Sequence, residues 1–190
     1  MTPSGGAAHD DQRIRIAPLD LTASVDDALA VQARAFGLSP EEVAVRRHIV
    51  LRHAAAPGAR ALGATTPDGR LVGFIYGMPN DRAQWWSTVV EPYLRRAGND
   101  SWLDDSFTVT ELHVLPSHQK HGIGRRLITE LTDTADEPRS ILSALDIESP
   151  ARGLYRKLGY QDLAQRVMFP SAATPYAVMG APLPLRRRDA

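Results

Sequence analysis

The stretch TELHVLPSHQKHGIGRRLITEL, residues 110–131, determines the fold class that we predict for this chain. Its first residues are largely β-branched or apolar as far as Pro116, a pattern typical of a strand that ends at a proline. A polar loop containing Gly122 and Gly124 follows. Beyond the first of these glycines, four apolar residues recur at the spacing of one helix face: Ile123, Leu127, Ile128 and Leu131. The stretch therefore predicts a strand, a glycine-containing turn and a helix.

The glycine-containing turn is typical of an anion-binding site. Glycine lets main-chain N–H groups approach an anion because it has no Cβ, and a helix N-terminus adds free N–H groups and a favourable dipole. A pyrophosphate is therefore the expected ligand. Two standard nucleotide loops are excluded, because the dinucleotide fingerprint needs a small residue where Leu127 lies. The Walker A pattern needs Lys-Ser/Thr where Arg125 and Arg126 follow Gly124.

Residues 119–124, Gln-Lys-His-Gly-Ile-Gly, fit the pattern Gln-x-x-Gly-x-Gly, which resembles the acyl-coenzyme A loop of the GNAT-type N-acetyltransferases. The preceding Glu-Leu-His-Val-Leu-Pro is similar to the family's fourth strand, and ARGLYRKLGY, residues 151–160, is similar to its second motif. The resemblance covers roughly residues 13–169. It implies an α/β (α+β) fold: a single GNAT-like domain with a mixed, mostly antiparallel sheet flanked by helices.

The resemblance also implies that acetyl-coenzyme A is the co-substrate. Its pantetheine arm is expected to bind the main chain of Leu112, His113 and Val114, as an added strand would. No metal is expected, because no group of His, Asp or Glu shows the spacing of metal ligands. The residues expected at the pyrophosphate come from the loop and the first helical turn: Gln119, Lys120, His121, Gly122, Ile123, Gly124 and Arg125.

Two residues are our candidates for catalysis. Tyr155 matches the family's general-acid position, from which its hydroxyl would protonate the leaving thiolate; spacing alone favours a core residue instead. Glu111 is the candidate base, with a solvated carboxylate or an arginine partner as the alternatives. His113 lies two residues further along the same strand face, so it is a second candidate base, and a water relay is a third.

Three other positions bear on the coenzyme and the acceptor. Glu148 occupies a position where the family's second motif often carries Asn, and an ionised carboxylate only accepts hydrogen bonds, which puts direct contact with the coenzyme in doubt. Trp85 and Trp86 are adjacent on a predicted helix and cannot both face one side. We hypothesise that one of them lines the acceptor pocket, with packing of the helix on the sheet as the alternative.

The remaining chain predicts a mixed α/β arrangement, in which several elements carry clear boundary signals. Ser39-Pro40 opens a helix, residues 67–69 form a hairpin turn, and Ser149-Pro150 opens another helix that Gly159 ends. A helix over 82–97 is expected to be interrupted by Pro92. The other predicted elements are a strand over 13–19, a helix over 21–36, and strands over 107–115, 140–147, 165–169 and 176–179.

Composition limits the function classes. The 190 residues carry 22 Lys+Arg and 22 Asp+Glu, which argues against a nucleic-acid partner bound through bulk positive charge. No apolar segment is long enough for a transmembrane helix, so we expect no membrane association. Cysteine is absent, which excludes Cys nucleophiles and thiolate metal sites and fits a cytoplasmic location. We expect a disordered leader over 1–12, the acetyltransferase domain over 13–184 and a basic tail over 185–190.

These features predict an N-acetyltransferase that moves an acetyl group from acetyl-coenzyme A to a primary amine by direct attack in a ternary complex. We expect a small-molecule amine or a peptide as the acceptor, and the sequence leaves its identity open because variable surface loops define that pocket. The alternative is a non-catalytic acyl-coenzyme A-binding regulatory domain of the same fold. The exposed backbone edges and the C-terminal strands also suggest a homodimer.

Overall fold

A computed structural model describes residues 14–170 and 172–186. The predicted leader and the last four residues of the predicted tail lie outside the described residues. Within the described ranges the chain forms seven strands and five α-helices, joined by loops with two short 3-10 helices. In chain order the elements are β1 Arg15–Pro18, α1 Val25–Phe36, α2 Pro40–Ala54, β2 Arg60–Thr65, β3 Leu71–Pro79, α3 Trp85–Arg96, β4 Ser106–Val114, α4 Ile123–Thr132, β5 Arg139–Leu145, α5 Pro150–Leu158, β6 Gln161–Val167 and β7 Tyr176–Pro182.

The strands follow the hydrogen-bonded order β1-β2-β3-β4-β5-β7-β6. Strand β4 pairs with β5 in parallel, whereas β1 with β2, β2 with β3, β5 with β7 and β6 with β7 are antiparallel. The predicted mixed, mostly antiparallel sheet is therefore confirmed. Contacts along the chain divide into two compact units, one with the residues up to Gly77 and Glu111–Leu131, the other with Met78–Thr110 and the residues from Thr132 onward.

In the first unit, the ends of the two N-terminal helices follow from their capping residues. Helix α1 ends where Gly37 adopts a left-handed conformation at φ 71°. The Ser39 side chain accepts a hydrogen bond from the Glu42 N–H, and the Glu42 carboxylate accepts one from the Ser39 N–H. This reciprocal cap, with Pro40 in the first turn, fixes where α2 begins. Both boundaries match the sequence prediction.

The hairpin of β2 and β3 also belongs to the first unit. Its turn closes with the Gly69 N–H donating to the Thr66 carbonyl at 2.9 Å, and Gly69 has a φ of 86°. Within β3, Gly73 lies where a Cβ would be 3.2 Å from the His113 carbonyl oxygen and 3.2 Å from Val114 Cγ2. The glycine is thus required for the close approach of β3 to β4, as its position in a strand pattern predicted.

The second unit contains a hydrophobic core to which α3, β5, β6 and β7 contribute, together with Leu103 from the 3-10 helix Asp100–Leu103. Helix α3 runs through Pro92 without interruption, so that prediction was wrong. Losing one helical hydrogen bond and accommodating the ring costs about 3 kcal/mol. Val90 and Leu94, on either side of the proline, are fully buried, and burying such side chains contributes about 1.5–3 kcal/mol each.

The last strands differ from the prediction in their boundaries. Strand β6 begins at Gln161, four residues before the predicted run, and ends at Val167. Its register against β7 shifts twice, between Asp162 and Ala164 and again before Val167, and Arg166 has a positive φ of 55°. These irregularities break the alternation of buried and exposed residues on which the prediction of a strand depends.

Two glycines of the second unit give opposite predictions for the same substitution. Gly180→Ala should destabilise the protein by about 1–3 kcal/mol, because the new Cβ would lie 2.6 Å from Leu163 Cδ1 and 2.7 Å from the Trp102 ring. Gly153→Ala, inside α5 with no atom within 4 Å of the new Cβ, should stabilise it by about 0.5–1 kcal/mol. Urea unfolding measures both changes, and equal values for the two variants would contradict the packing described.

Candidate active site

The loop before α4 has the backbone shape of an anion cradle. Lys120 and Gly122 both adopt left-handed conformations, at φ 66° and 81°, and a Cβ at Gly122 would meet no atom within 4 Å. The Arg126 N–H donates to the Gly122 carbonyl at 3.0 Å, so the helical hydrogen bonds begin there. The N–H groups of the preceding first-turn residues, among them Gly124, then belong to the free N-terminus of the helix. An acidic group such as a phosphate fits this geometry.

Gln119 ties this loop to the end of β4. Its side-chain amide donates to the Val114 carbonyl at 2.9 Å. That contact gives Gln119 a structural role in the loop, and it occupies one of the main-chain groups that we expected to bind pantetheine. Leu112, His113 and Val114 are the last three residues of β4, as predicted. The pairing of β4 with β5 covers only Ser106–Thr108, at the other end of the strand.

A polar cluster surrounds Glu111 in the first unit. One carboxylate oxygen lies 2.7 Å from Nε2 of His113, and the other lies 3.5 Å from the guanidinium of Arg46 on α2. Of the two alternatives raised for Glu111, the arginine partner is present, and the carboxylate also contacts a second titratable group. Only 23% of the Glu111 side chain is exposed, so these contacts are largely shielded from water.

The surroundings of Glu111 favour its ionised form. Burial raises the pKa of the carboxyl, but the hydrogen bond from His113, the charge that His113 carries when protonated, the charge of Arg46 and a hydrogen bond from Gln32 outweigh it. The pKa of Glu111 is therefore held below its ordinary value. Gln32 itself is buried on α1, so three elements, α1, α2 and β4, supply one polar interior.

A second pair of polar side chains borders the same interior. Nδ1 of His53, at the end of α2, lies 3.1 Å from the Tyr76 hydroxyl on β3. Burial, with the charge of Arg52, lowers the pKa of His53. Burial also raises the pKa of Tyr76 well above its ordinary value, and the negative charge of Glu111 acts in the same direction. Both groups are therefore neutral at physiological pH.

Aromatic rings enclose the imidazole of His113. The Phe36 ring meets it edge-on, with centroids 5.9 Å apart, and the Phe74 ring lies 5.6 Å away. Phe36 is 48% exposed, which is unusual for a large apolar side chain, and His113 keeps 10% of its own side chain exposed. The histidine thus has an apolar setting on one side and the Glu111 carboxylate on the other.

Sequence reasoning missed the α2 residues of this cluster. Arg46 and His53 are separated from the buried Val50 by four and three residues, so all three lie on one helix face. That spacing was available in the sequence. It was obscured because the apolar residues of α2 do not form one buried stripe: Val45 is exposed, and Ile49 and Leu51 on either side of Val50 are only partly buried.

Tyr155 lies on α5 in the second unit and is 8% exposed. Its ring meets that of Tyr160 edge-on at 5.7 Å. The buried face of α5 is Arg152, Tyr155 and Leu158, whereas Ala151, which we expected on that face, is exposed. The ring is thus packed as spacing alone predicted, and the catalytic role of its hydroxyl stays a prediction.

A charged residue, Arg152, lies on the buried face of α5, where the sequence pattern predicted an apolar residue. Its guanidinium donates to Asp146 at 2.8 Å and to Asp162 at 2.6 Å, and the side chain is 3% exposed. The two carboxylates come from the residue after β5 and from β6. A buried arginine between two carboxylates fixes the rotation and position of α5 more narrowly than an apolar contact would.

The other predicted positions are occupied as follows. Glu148 is exposed and makes an ion pair with Arg156 at 2.8 Å, and that hydrogen bond lowers its pKa. Trp85 is 61% exposed, whereas Trp86 packs against the core and donates from Nε1 to the Ser143 hydroxyl at 3.2 Å. The prediction that the two tryptophans face different sides is confirmed, and the link to an acceptor pocket stays a hypothesis.

No group of three or more His, Asp or Glu side chains in residues 14–170 and 172–186 is arranged to hold a metal ion. Over the same part of the chain, every helix is too short or too polar to cross a bilayer.

Comparison with known proteins identifies the family. Residues 61–162, more than half of the chain, match the acetyltransferase (GNAT) domain. The chain belongs to this family. A GCN5-like protein acetyltransferase of Mycobacterium tuberculosis is 28% identical over 201 aligned positions, which cover 90% of this chain and 98% of the relative. The predicted family and fold class are therefore confirmed, and membership supports acyl-coenzyme A-dependent acetyl transfer in general.

Solved structures share the fold at low sequence identity. A GNAT-family acetyltransferase from Desulfovibrio desulfuricans superposes with a TM-score of 0.66 at 19% identity, covering 89% of this chain and 98% of that one. The PaiA N-acetyltransferase of Thermoplasma acidophilum, solved in complex with coenzyme A, gives a TM-score of 0.59 at 14% identity, with coverages of 89% and 98%.

The charge on Glu111 gives a prediction about stability and pH. Because its pKa is lowered on folding, its ionised form stabilises the fold above the ordinary value of 4.5, and this contribution is lost as the pH falls through the lower, folded pKa. At pH 7, Glu111→Gln should cost about 1–3 kcal/mol in unfolding free energy. The difference from the parent protein should shrink as the pH falls below 4.5.

Urea unfolding over this pH range measures the difference, and Glu130→Gln is a suitable control. Glu130 is exposed on α4, with its nearest recorded cation, Arg126, 3.7 Å away. A Glu111→Gln difference that stays constant or grows in acid would contradict an ionised Glu111 held by its partners.

Proposed function

We propose that this protein is an N-acetyltransferase that transfers the acetyl group of acetyl-coenzyme A to a primary amine by direct attack in a ternary complex. The observation that carries the proposal is the polar cluster at Glu111, on the strand that leads directly into the anion cradle at Gly122. Family membership supports the co-substrate, and the cluster supports proton transfer near the end of β4.

The coenzyme would bind mainly to the main chain. The left-handed residues Lys120 and Gly122 and the free N–H groups at the start of α4 fit a pyrophosphate, and the Arg125 side chain adds charge. Leu112 and His113 offer main-chain groups to the pantetheine arm, while the Val114 carbonyl is held by Gln119. His121 and Ile123 complete the loop as backbone donors in this proposal.

The chemistry requires a balanced movement of protons. The amine nitrogen forms a bond to the thioester carbonyl carbon and loses a proton, and the carbon–sulfur bond breaks as the thiolate leaves. A main-chain N–H near Leu112 or His113 would stabilise the oxyanion, a contribution of about 3 kcal/mol for one such donor. We assign proton removal to the Glu111–His113 pair and protonation of the thiolate to Tyr155.

For the acceptor, we propose a peptide or protein amine as the first class to examine. The Mycobacterium tuberculosis relative is named as a protein acetyltransferase and aligns over most of both chains. Small-molecule amines form the second class. The exposed Trp85 supplies apolar surface on which either kind of acceptor would pack.

The proposal extends to two further properties. We propose a cytoplasmic location, which fractionation of cells would test. We also propose a homodimer, which light scattering of the purified protein would test.

The first prediction of this proposal concerns coenzyme binding. Acetyl-coenzyme A at 100 times its Kd should stabilise the protein by about 2.7 kcal/mol, which corresponds to a rise in Tm of about 5–10 °C. Gly124→Val should abolish that rise, because a β-branched side chain blocks the first turn of α4, while leaving the Tm without ligand nearly unchanged. Differential scanning fluorimetry measures both values. The absence of any rise at millimolar ligand in the parent protein would contradict the proposed function.

A second prediction concerns Tyr155 and separates an enzyme from a non-catalytic binder. Tyr155→Phe keeps the ring packing against Tyr160 and removes the hydroxyl, so kcat should fall about 10²–10⁴-fold while coenzyme binding is preserved. Thiol release with a panel of peptide and small amines measures kcat. If coenzyme binds but no amine in the panel is acetylated, the regulatory alternative is favoured. An undiminished rate in Tyr155→Phe would contradict its role as general acid.

A further inference from the structure

The contact between Glu111 and His113 fixes how the histidine carries its proton. An ionised carboxylate only accepts hydrogen bonds. Arg46, Gln32 and His113 all favour the ionised form of Glu111, so the 2.7 Å contact requires a hydrogen on Nε2 of His113. A neutral imidazole has one hydrogen only, and Nδ1 must then carry a lone pair. In residues 14–170 and 172–186 no hydrogen bond to that nitrogen is recorded.

We propose that Nδ1 of His113 takes the proton from the acceptor amine and that Glu111 is a positioning residue that orients the imidazole. The inference rests on the proposed function, because it assigns a role within acetyl transfer. The same two roles occur in the carboxylate–histidine pairs of other enzymes, in which the carboxylate orients the imidazole and the imidazole takes the proton.

Glu111 is poorly suited to accept the proton itself. Both carboxylate oxygens already have partners, one in His113 and the other in Arg46. Each partner stabilises the charged form, so protonating Glu111 would break interactions that the fold has in place. A proton taken up on Nδ1 of His113 would instead form an imidazolium that makes an ion pair with Glu111 through the contact already in place.

The other neighbours of the His113 ring are apolar, and its hydrogen bond is to the Glu111 carboxylate. Phe74 from β3 and Phe36 from α1 face the ring with apolar atoms. The charged and titratable groups around the pair are Arg46 and His53 from α2 and Tyr76 from β3. His113 keeps 10% of its side chain exposed, and the neighbouring Phe36 is 48% exposed, so the ring lies close to the protein surface.

The proposed step balances in protons and electrons. The amine nitrogen uses its lone pair to bond to the thioester carbon, and one N–H proton moves to Nδ1 of His113. The carbon–sulfur electron pair leaves with the coenzyme thiolate, which takes a proton from the general acid. The His113 imidazolium returns its proton to solvent before the next turnover.

The variant His113→Gln distinguishes a His113 base that Glu111 positions from the alternative in which Glu111 is the base. The glutamine amide can still donate to the Glu111 carboxylate, as Nε2 does, but it offers no basic nitrogen. We expect kcat to fall about 10²–10⁴-fold, with the acetyl-coenzyme A shift in Tm unchanged. His48→Gln, the same change at an exposed residue of α2, should keep kcat within about twofold of the parent. If Glu111 were the base, His113→Gln would keep kcat within a few-fold, and that result would overturn the proposal.

The tautomer of His113 provides a test that needs no acceptor. Two-bond ¹H–¹⁵N correlation spectra of the ¹⁵N-labelled protein, recorded where imidazole is neutral, should show His113 protonated on Nε2 and unprotonated on Nδ1. In Glu111→Gln this preference should weaken, because an amide can either donate or accept. An Nδ1-protonated His113 in the parent protein would overturn the proposal even if acetyl transfer is established. Absence of acetyl-coenzyme A binding would instead remove the proposed function, whatever the tautomer.

Discussion

The carboxylate of Glu111 is the charge on which the polar interior of the first unit depends. It lies on β4 and draws Arg46 of α2, Gln32 of α1 and its own neighbour His113 into contact. Removing one partner of a largely buried charge typically costs several kcal/mol, because the remaining charge is left uncompensated. The positions of both helices against this end of β4 are therefore tied to one ionised group.

Elements with local signals were predictable from the sequence. Ser39 and Gly159 act through hydrogen bonds or backbone conformations that span a few residues; as predicted, Ser39 begins α2 and Gly159 ends α5. The turn over 67–69 is equally local. The strand period also put Glu111 and His113 on one face, where their side chains meet. The family was predicted from two motifs that this chain shares with it, the glycine spacing of the loop over 119–124 and the segment around Tyr155.

Features that depend on distant residues could not be predicted. Arg46 pairs with Glu111 across 65 positions of sequence, and no pattern within α2 marks the partner. Continuation of α3 through Pro92 depends on how deeply its apolar face is buried, which is a property of the packed unit. The early start of β6 is hidden by its bulges. In each case, a tertiary contact outweighs the local propensity that the prediction used.

Each unit holds a candidate catalytic side chain close to a shielded charge. Glu111 is held by Arg46 and His113 in the first unit, and in the second Arg152, three residues before Tyr155, is held by two aspartates. Ion pairs of this kind add little net stability, because desolvation offsets their attraction. They do restrict orientation, since a guanidinium or imidazole keeps its hydrogen bonds in a narrow range of geometries. The neutral overall charge is consistent with this arrangement, because the charges that matter for the proposed chemistry are compensated locally.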